Sequence, residues 1–401
     1  MKLYITENGT PSEKSVVLDD LILTKDMPTT AGSKMLDGYK SLFNATAVEK
    51  LTSAGYEIAG KANIGEFSLD LLGETSYFGA SVNEKGELVS ASAEILKSSA
   101  VKAAVTVDVN GTPRRAAALS DLVFVKPTYG TVSRFGTIPV ACSGETVGVM
   151  AKTLDGCREV LSAILGHDAK DGTSHADDKC DLVKSEGVKK NDFKIAVADA
   201  LYNSASDDTK AKIDEFKTVM NKNGVDVCEI DAKELSFAKT AWNILMCAEM
   251  CNNVSRYDGI KYGYRSPEYK TIDELYTNSR TEAFGDLTKT AILFGSDCLS
   301  TENYMKVYDK ALRIRRVISE YFGKLFNEYD AVLMPACGKT SYTENDVKEN
   351  SALSFDEALY TAPASITGMP AVVIGGVQLV GNAFSEGTLF EIARIYETEG
   401  K

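Results

Sequence analysis

Short, unbroken apolar runs alternate along this chain with longer stretches whose apolar residues recur every three or four positions. That mixture predicts buried strands separated by amphipathic helices, and hence an α/β fold. In the region 46–66, AVEKLTSA reads as a helix, Gly55 can end it, and YEIAGKA reads as a strand. Thr46 and Glu49 have capping-box spacing, with Thr over the first turn and Glu reaching back to its amide. Residues 89–105 predict a helix through their middle. FKIAVAD at 193–199 predicts a short strand, followed by a helix in DDTKAKIDEFKTVMNKNG that ends at Gly224, then the strand VDVCEID. The longest predicted helix runs from about Glu302 to Glu328. Its stripe of Tyr304, Val307, Ala311, Ile314, Ile318, Tyr321 and Leu325 marks one buried face. DAVLMPA then reads as a buried strand. Residues 168–192 are polar and predict a surface crossover rather than a break between independent domains; the length allows two or three domains or one large domain spanning 1–401.

Composition narrows the function classes. The 401 residues are 44% hydrophobic and 25% charged, which suits a soluble globular chain with a sizeable core. No window of about 18 apolar residues exists to span a bilayer, and the N-terminus lacks a signal-peptide core. A cytoplasmic protein with no membrane contact is expected. The net charge of −13 disfavours direct nucleic-acid binding, because phosphate contact needs a basic face.

Eight cysteines are scattered, and only Cys247 and Cys251 are close, one helical turn apart in WNILMCAEMC. A metal site needs two further ligands, and no partner pair is visible. Small buried side chains are the simpler reading. The two histidines, His167 and His175, lie in or beside the polar stretch GHDAKDGTSHADDK and read as solvated loop residues, not as part of a triad or zinc site.

Several segments carry a family resemblance: TTAGSKML at 29–36, ATAVEKLTSAGYEIAGKANIGEF at 45–67, and VKPTYGTVSRFGTIPVACS at 125–143. RYDGIKYGYR at 256–265, SRTEAFGD at 279–286, TAPASITGMPAVVI and VQLVGNAFSEGTLFEIARIYE extend it in order over almost the whole chain. Together they resemble the amidase signature family, and within it the A subunits of the glutamyl-tRNA(Gln) and aspartyl-tRNA(Asn) amidotransferases. The resemblance implies one α/β domain with a large mixed sheet enclosed by helices. With about 15 residues preceding Val16, the family's N-terminal helical extension is expected to be missing, and only Gly375 and Gly376 join GMPAVVI to VQLVG.

The resemblance also implies a chemistry. The family hydrolyses amides with a Ser nucleophile, a second Ser on a cis peptide bond and a Lys. A hydroxyl needs a base to take its proton, a neutral Lys supplies it through the bridging hydroxyl, and backbone N–H groups hold the oxyanion. Counting without gaps from the retained segments, the Lys position falls on Asp19, the bridging Ser on Leu88 and the nucleophile on Thr112. Lys25, followed by Asp26, restores a Lys only by a six-residue deletion, and Ser90 and Ser92 lie near the bridging position. Asp108, Gly111 and Arg114 of the nucleophile loop are retained, while Pro113 removes one N–H donor. The family's glutamine-binding positions fall on Thr290, Ala291 and Ala358, none of them charged.

Drift or misalignment explains any one of these changes. Five sites failing together, with Thr290 and Ala291 counted as one, in a chain whose scaffold segments are kept, imply a maintained fold without amidase chemistry. Three functions follow as expectations. The first is a glutaminase-inactive A-subunit-like scaffold, partnered by B- and C-like subunits, meeting tRNA only indirectly, with no cofactor or metal. The second is an active amidase with rewired residues, Thr112 attacking and Asp19 acting as base. The third is a stand-alone small-molecule-binding protein using the old cleft.

Overall fold

The computed structural model describes residues 2–184 and 193–400. Its strands are β1 (Tyr4–Glu7), β2 (Ser15–Asp19), β3 (Glu57–Ala62), β4 (Ala103–Asp108), β5 (Val123–Lys126) and β6 (Thr146–Ala151). They continue as β7 (Lys194–Ala198), β8 (Asp226–Ile230), β9 (Ala331–Pro335), β10 (Ala371–Ile374) and β11 (Val377–Val380). All join one mixed sheet in the order β1-β3-β2-β4-β6-β5-β10-β11-β9-β7-β8. Helices cover both faces, so the central strands are buried throughout and read as apolar runs without alternation. This is the α/β fold that the pattern predicted, with the large mixed sheet that the resemblance implied.

Two pairings matter for the site. β2 lies parallel to β4, with Val17 opposite Ala104 and Leu18 opposite Val105. The carboxyl ends of both strands therefore open on the same edge. β10 and β11 form a hairpin through Gly375 and Gly376, whose φ values of 57° and 80° suit a two-residue turn that favours glycine. β1, an edge strand of the sheet, is built from residues that precede β2 and pairs antiparallel with β3.

Some expectations are corrected. Thr46 does not cap its helix: Ala45 is the N-cap, and the Thr46 hydroxyl instead donates to Asp168 at 2.6 Å. A tertiary acceptor outcompetes the local amide. The 89–105 stretch is helical only over Ala91–Ser98, and its apolar end begins β4. The long helix opens with a wider π-type turn at Tyr304–Tyr308 before the α-helix Asp309–Leu325. That turn rotates Tyr304 off the buried stripe, leaving it exposed, while Ala311 and Ile318 stay in the core. Within the polar crossover, Asp177–Lys184 forms a helix that buries Cys180 and Val183; residues 185–192 of the expected crossover lie outside the described residues. His175 is half-buried, its ring edge-on to Phe384.

Candidate active site

Asp19 ends β2, and its side chain carries on where the backbone ladder stops. Its Oδ2 accepts the Val107 N–H of β4 at 2.9 Å. The helix Ala91–Ser98 packs over this edge and brings in Ser92, whose Oγ donates to Asp19 Oδ1 at 3.3 Å. β4 leaves the sheet through Val109–Gly111 and enters the helix Thr112–Ser120. Gly111 is required there: its φ is +84°, and a Cβ would lie 2.4 Å from the Thr361 side chain. The segment after β3 closes the remaining side. Its Phe67 and Ser68 both adopt φ above +50°, a strained conformation for non-glycine residues.

These elements line a small cavity of about 20 Å³, whose polar lining is Asp19, Asn63, Ser68, Ser90, Ser92, Thr106 and Thr112 beside apolar neighbours. Among the described residues, the only ionisable side chain lining it is Asp19; no amine, imidazole or thiol does. Burial raises the Asp19 carboxyl to about 7, against the lowering effect of the Val107 and Ser92 hydrogen bonds. Behind it, Asp20 accepts the Thr30 N–H at 2.8 Å and the Thr30 hydroxyl, and lies 3.9 Å from the Lys61 ammonium. Burial pushes Asp20 up to about 6 and Lys61 down to about 8. Lys61 donates to the Ile22 carbonyl and to Thr29. The TT segment and the Gly-Lys segment thus meet in one buried network.

The positions singled out by resemblance do not all converge. Asp19 and Thr112 line the cavity, but the Thr112 hydroxyl donates to the Asp70 carbonyl at 2.7 Å. Leu88 does not line it. It sits in the apolar cluster on one face of the sheet, bridged to Val82, with its N–H on the Tyr342 carbonyl. Lys25 is exposed on the following loop and supplies no amine to the cavity. Ala291 and Ala358 are wholly buried elsewhere. Thr290 lies on a separate, mostly apolar groove of about 320 Å³ with Phe294 and Phe355. Cys247 and Cys251 share the helix Lys233–Asn253, and no metal-ligating cluster exists among the described residues.

Other residues escaped the sequence reading. Arg115 is fully buried, and its guanidinium donates to the carbonyls of Asn110, Asp70 and Leu71 at 2.8, 3.0 and 3.2 Å. Asp70 lies over Gly65, where a Cβ would be 1.8 Å from its Oδ2. Burial, followed by the Glu74 charge, pushes Asp70 up to about 8. A lone Asp in LDLLG and a doubled Arg after Pro113 were the available signals.

The retained loop residues have structural roles. Arg114 forms a two-pronged pair with Asp108, at 2.7 and 3.0 Å, and donates to Thr361, Gln378 and Ser365. It ties the end of β4 and the helix Thr112–Ser120 to the helix Leu353–Thr367 and to β11. Glu66 similarly accepts Ser33 at 2.5 Å and the Gly285 N–H at 2.8 Å, binding three family segments together.

A family model described as Amidase matches residues 15–390. The chain belongs to the amidase family. Among its relatives, the glutamyl-tRNA(Gln) amidotransferase A subunit of Coxiella burnetii is 35% identical over 396 residues, covering 95% of this chain and 82% of the relative. Its counterpart in Latilactobacillus sakei is 34% identical, covering 95% and 81%. The crystal structure of the Thermotoga maritima glutamyl-tRNA(Gln) amidotransferase A subunit superposes with a TM-score of 0.81 at 27% identity, over 99% of this chain and 87% of that one. Allophanate hydrolase of Kluyveromyces lactis, at 20% identity and a TM-score of 0.78 over 96% and 61%, shares the fold. Among the described residues no helix is long and apolar enough to cross a membrane.

Proposed function

We propose that this amidase-family chain is an A-subunit-like scaffold of a tRNA-dependent amidotransferase-type complex, with no glutaminase activity of its own. The observation that carries this reading is the cavity lined by Asp19 and Thr112, whose one ionisable side chain among the described residues is Asp19. Amide hydrolysis needs a hydroxyl, a base within reach of its proton, and donors for the oxyanion. Thr112 points its proton at a carbonyl, Leu88 has no proton to relay, and Pro113 has no N–H to give. A cavity of about 20 Å³ also leaves no room for glutamine. The same size argues against a conventional small-molecule site here, since such pockets enclose roughly 300–1,000 Å³.

The maintained architecture supports the scaffold half of the reading. The Asp108–Arg114 pair, the Glu66 bonds and the Lys61–Asp20 network all serve packing, and they preserve the shape of an amidotransferase A subunit. B- and C-like subunits are the partners, tRNA is met through the B-like partner, and nitrogen arrives as free ammonia or from another enzyme. The compartment is the cytoplasm.

One observation favours a rewired enzyme instead. The Ser92 hydroxyl donates to Asp19, a carboxylate raised to about 7, which is a nucleophile–base contact. The expected Thr112–Asp19 pair is not the one formed. A native pull-down of the tagged protein, read by mass spectrometry, tests the scaffold. Stoichiometric B- and C-like subunits support it; recovery of the chain alone contradicts it.

A further inference from the structure

Thr106 is 1% exposed, and its Oγ1 has no hydrogen-bond partner among the described residues. It lines the same cavity as Asp19 and Ser92. The pairing of β2 with β4 explains why: extending the register past Leu18 and Val105 sets Asp19 opposite Thr106, on the face that Val17 and Ala104 share. A buried hydroxyl left without a partner is costly, so its position calls for an occupant.

Three properties define that occupant. Its size is that of one water molecule, because the cavity of about 20 Å³ exceeds the roughly 10–15 Å³ one water needs by little. Its chemistry is that of an oxygen-seeking species, because the polar side chains lining the cavity are a carboxylate, hydroxyls and the Asn63 amide, and that amide is already bonded to Lys2, Gly79 and Ser76. Its charge follows from the neighbours. Asp19 and Asp20 are buried side by side, and the Lys61 ammonium that acts on both sits next to Asp20 and bonds to Ile22 and Thr29. Two buried carboxylates share one ammonium, and among the described residues Asp19 is the one of the pair without an adjacent cation. One carboxylate is too few, and the space too small, for a hydrated divalent ion.

We propose that this cavity binds one small monovalent cation, ammonium or an alkali ion, held by the Asp19 carboxylate and the Ser92 and Thr106 hydroxyls. The cation completes the charge balance at the carboxyl ends of β2 and β4 and braces the strained turn at Ser68.

The test is thermal unfolding of the full chain at constant chloride in ammonium, potassium, sodium or tetramethylammonium salt. A saturable rise in Tm of about 3 °C is expected with at least one small cation relative to tetramethylammonium, which is too large to enter. The salt with the larger shift distinguishes ammonium from an alkali ion. Asp19→Asn and Thr106→Val each remove the saturable part. Because either substitution can impair folding, thallium(I) soaked into crystals of the unaltered protein gives a second readout, an anomalous peak between Asp19 and Thr106. Equal Tm values in all four salts, a cation effect undiminished in a folded Asp19→Asn protein, or no thallium peak in the cavity overturns the inference. It rests on the reading that the cavity is not hydrolytic. Ammonia release from glutamine overturns that reading, whereas cation-independent stability without ammonia release overturns only this one.

Discussion

The hydroxyl of Thr112 donates to the main-chain carbonyl of Asp70 at 2.7 Å, and the guanidinium of Arg115 donates to that same carbonyl at 3.0 Å. A hydroxyl held this way caps a loop. Thr112→Val removes one of two donors to the carbonyl and leaves the other. Its expected cost is about 1 kcal/mol, read by urea unfolding. A loss above about 3 kcal/mol contradicts the simple capping role.

The Asp108–Arg114 pair is wholly buried and also holds the Gly111 N–H through Asp108 Oδ1. Removing one partner strands the other charge in the core. Arg114→Met is therefore expected to lose about 3–5 kcal/mol in denaturant unfolding. Arg114→Lys keeps the charge but not the fork, and is expected to recover only part of that loss.

Gly111 meets two constraints at once, a positive φ and the Thr361 side chain. Gly111→Ala is expected to destabilise the chain by on the order of 3 kcal/mol. Gly38 also has positive φ but nothing within 4 Å of a built Cβ. Gly38→Ala is expected to cost only about 1–2 kcal/mol, from backbone strain. Comparing the two urea midpoints isolates the steric part.

Asp70 has a carboxyl raised from 3.8 to about 8 by burial and by Glu74. Between those values the folded state keeps a proton that the unfolded chain has lost. Its contribution to stability is therefore full below pH 3.8 and is lost as pH rises towards 8. Unfolding free energy is expected to fall between about pH 5 and 8, and Asp70→Asn is expected to flatten that fall without abolishing it. Asp19 and Asp20, raised to about 7 and 6, add slopes of the same sign. Equal slopes in the two proteins contradict the assignment.

Much of this architecture was legible in the residues. The helix before β3, the strand–helix–strand unit of β7 and β8, and β9 all follow from periodicity and glycine stops, because each reports a local preference. β4 was hidden because AAVTVD is buried on both faces and shows no alternation beside the helix before it. The π-type turn at Tyr304 and the diverted Thr46 hydroxyl depend on distant neighbours, which no local pattern records. At the site, the count from Lys126 put Asp108, Gly111, Thr112 and Arg114 in one segment, which runs from the end of β4 into the helix Thr112–Ser120. Ser92 on Asp19, Asp70 over Gly65 and the unpartnered Thr106 were not legible, since each arises where separate elements meet.

The most direct measurement of the central claim is ammonia release from glutamine by the complex isolated on the tagged chain. The account predicts none above a mock purification, in a preparation where B- and C-like subunits are present and the chain is folded. Glutamine-dependent ammonia that disappears in Ser92→Ala or Thr112→Val would contradict it and make this chain a working amidase with a rebuilt site.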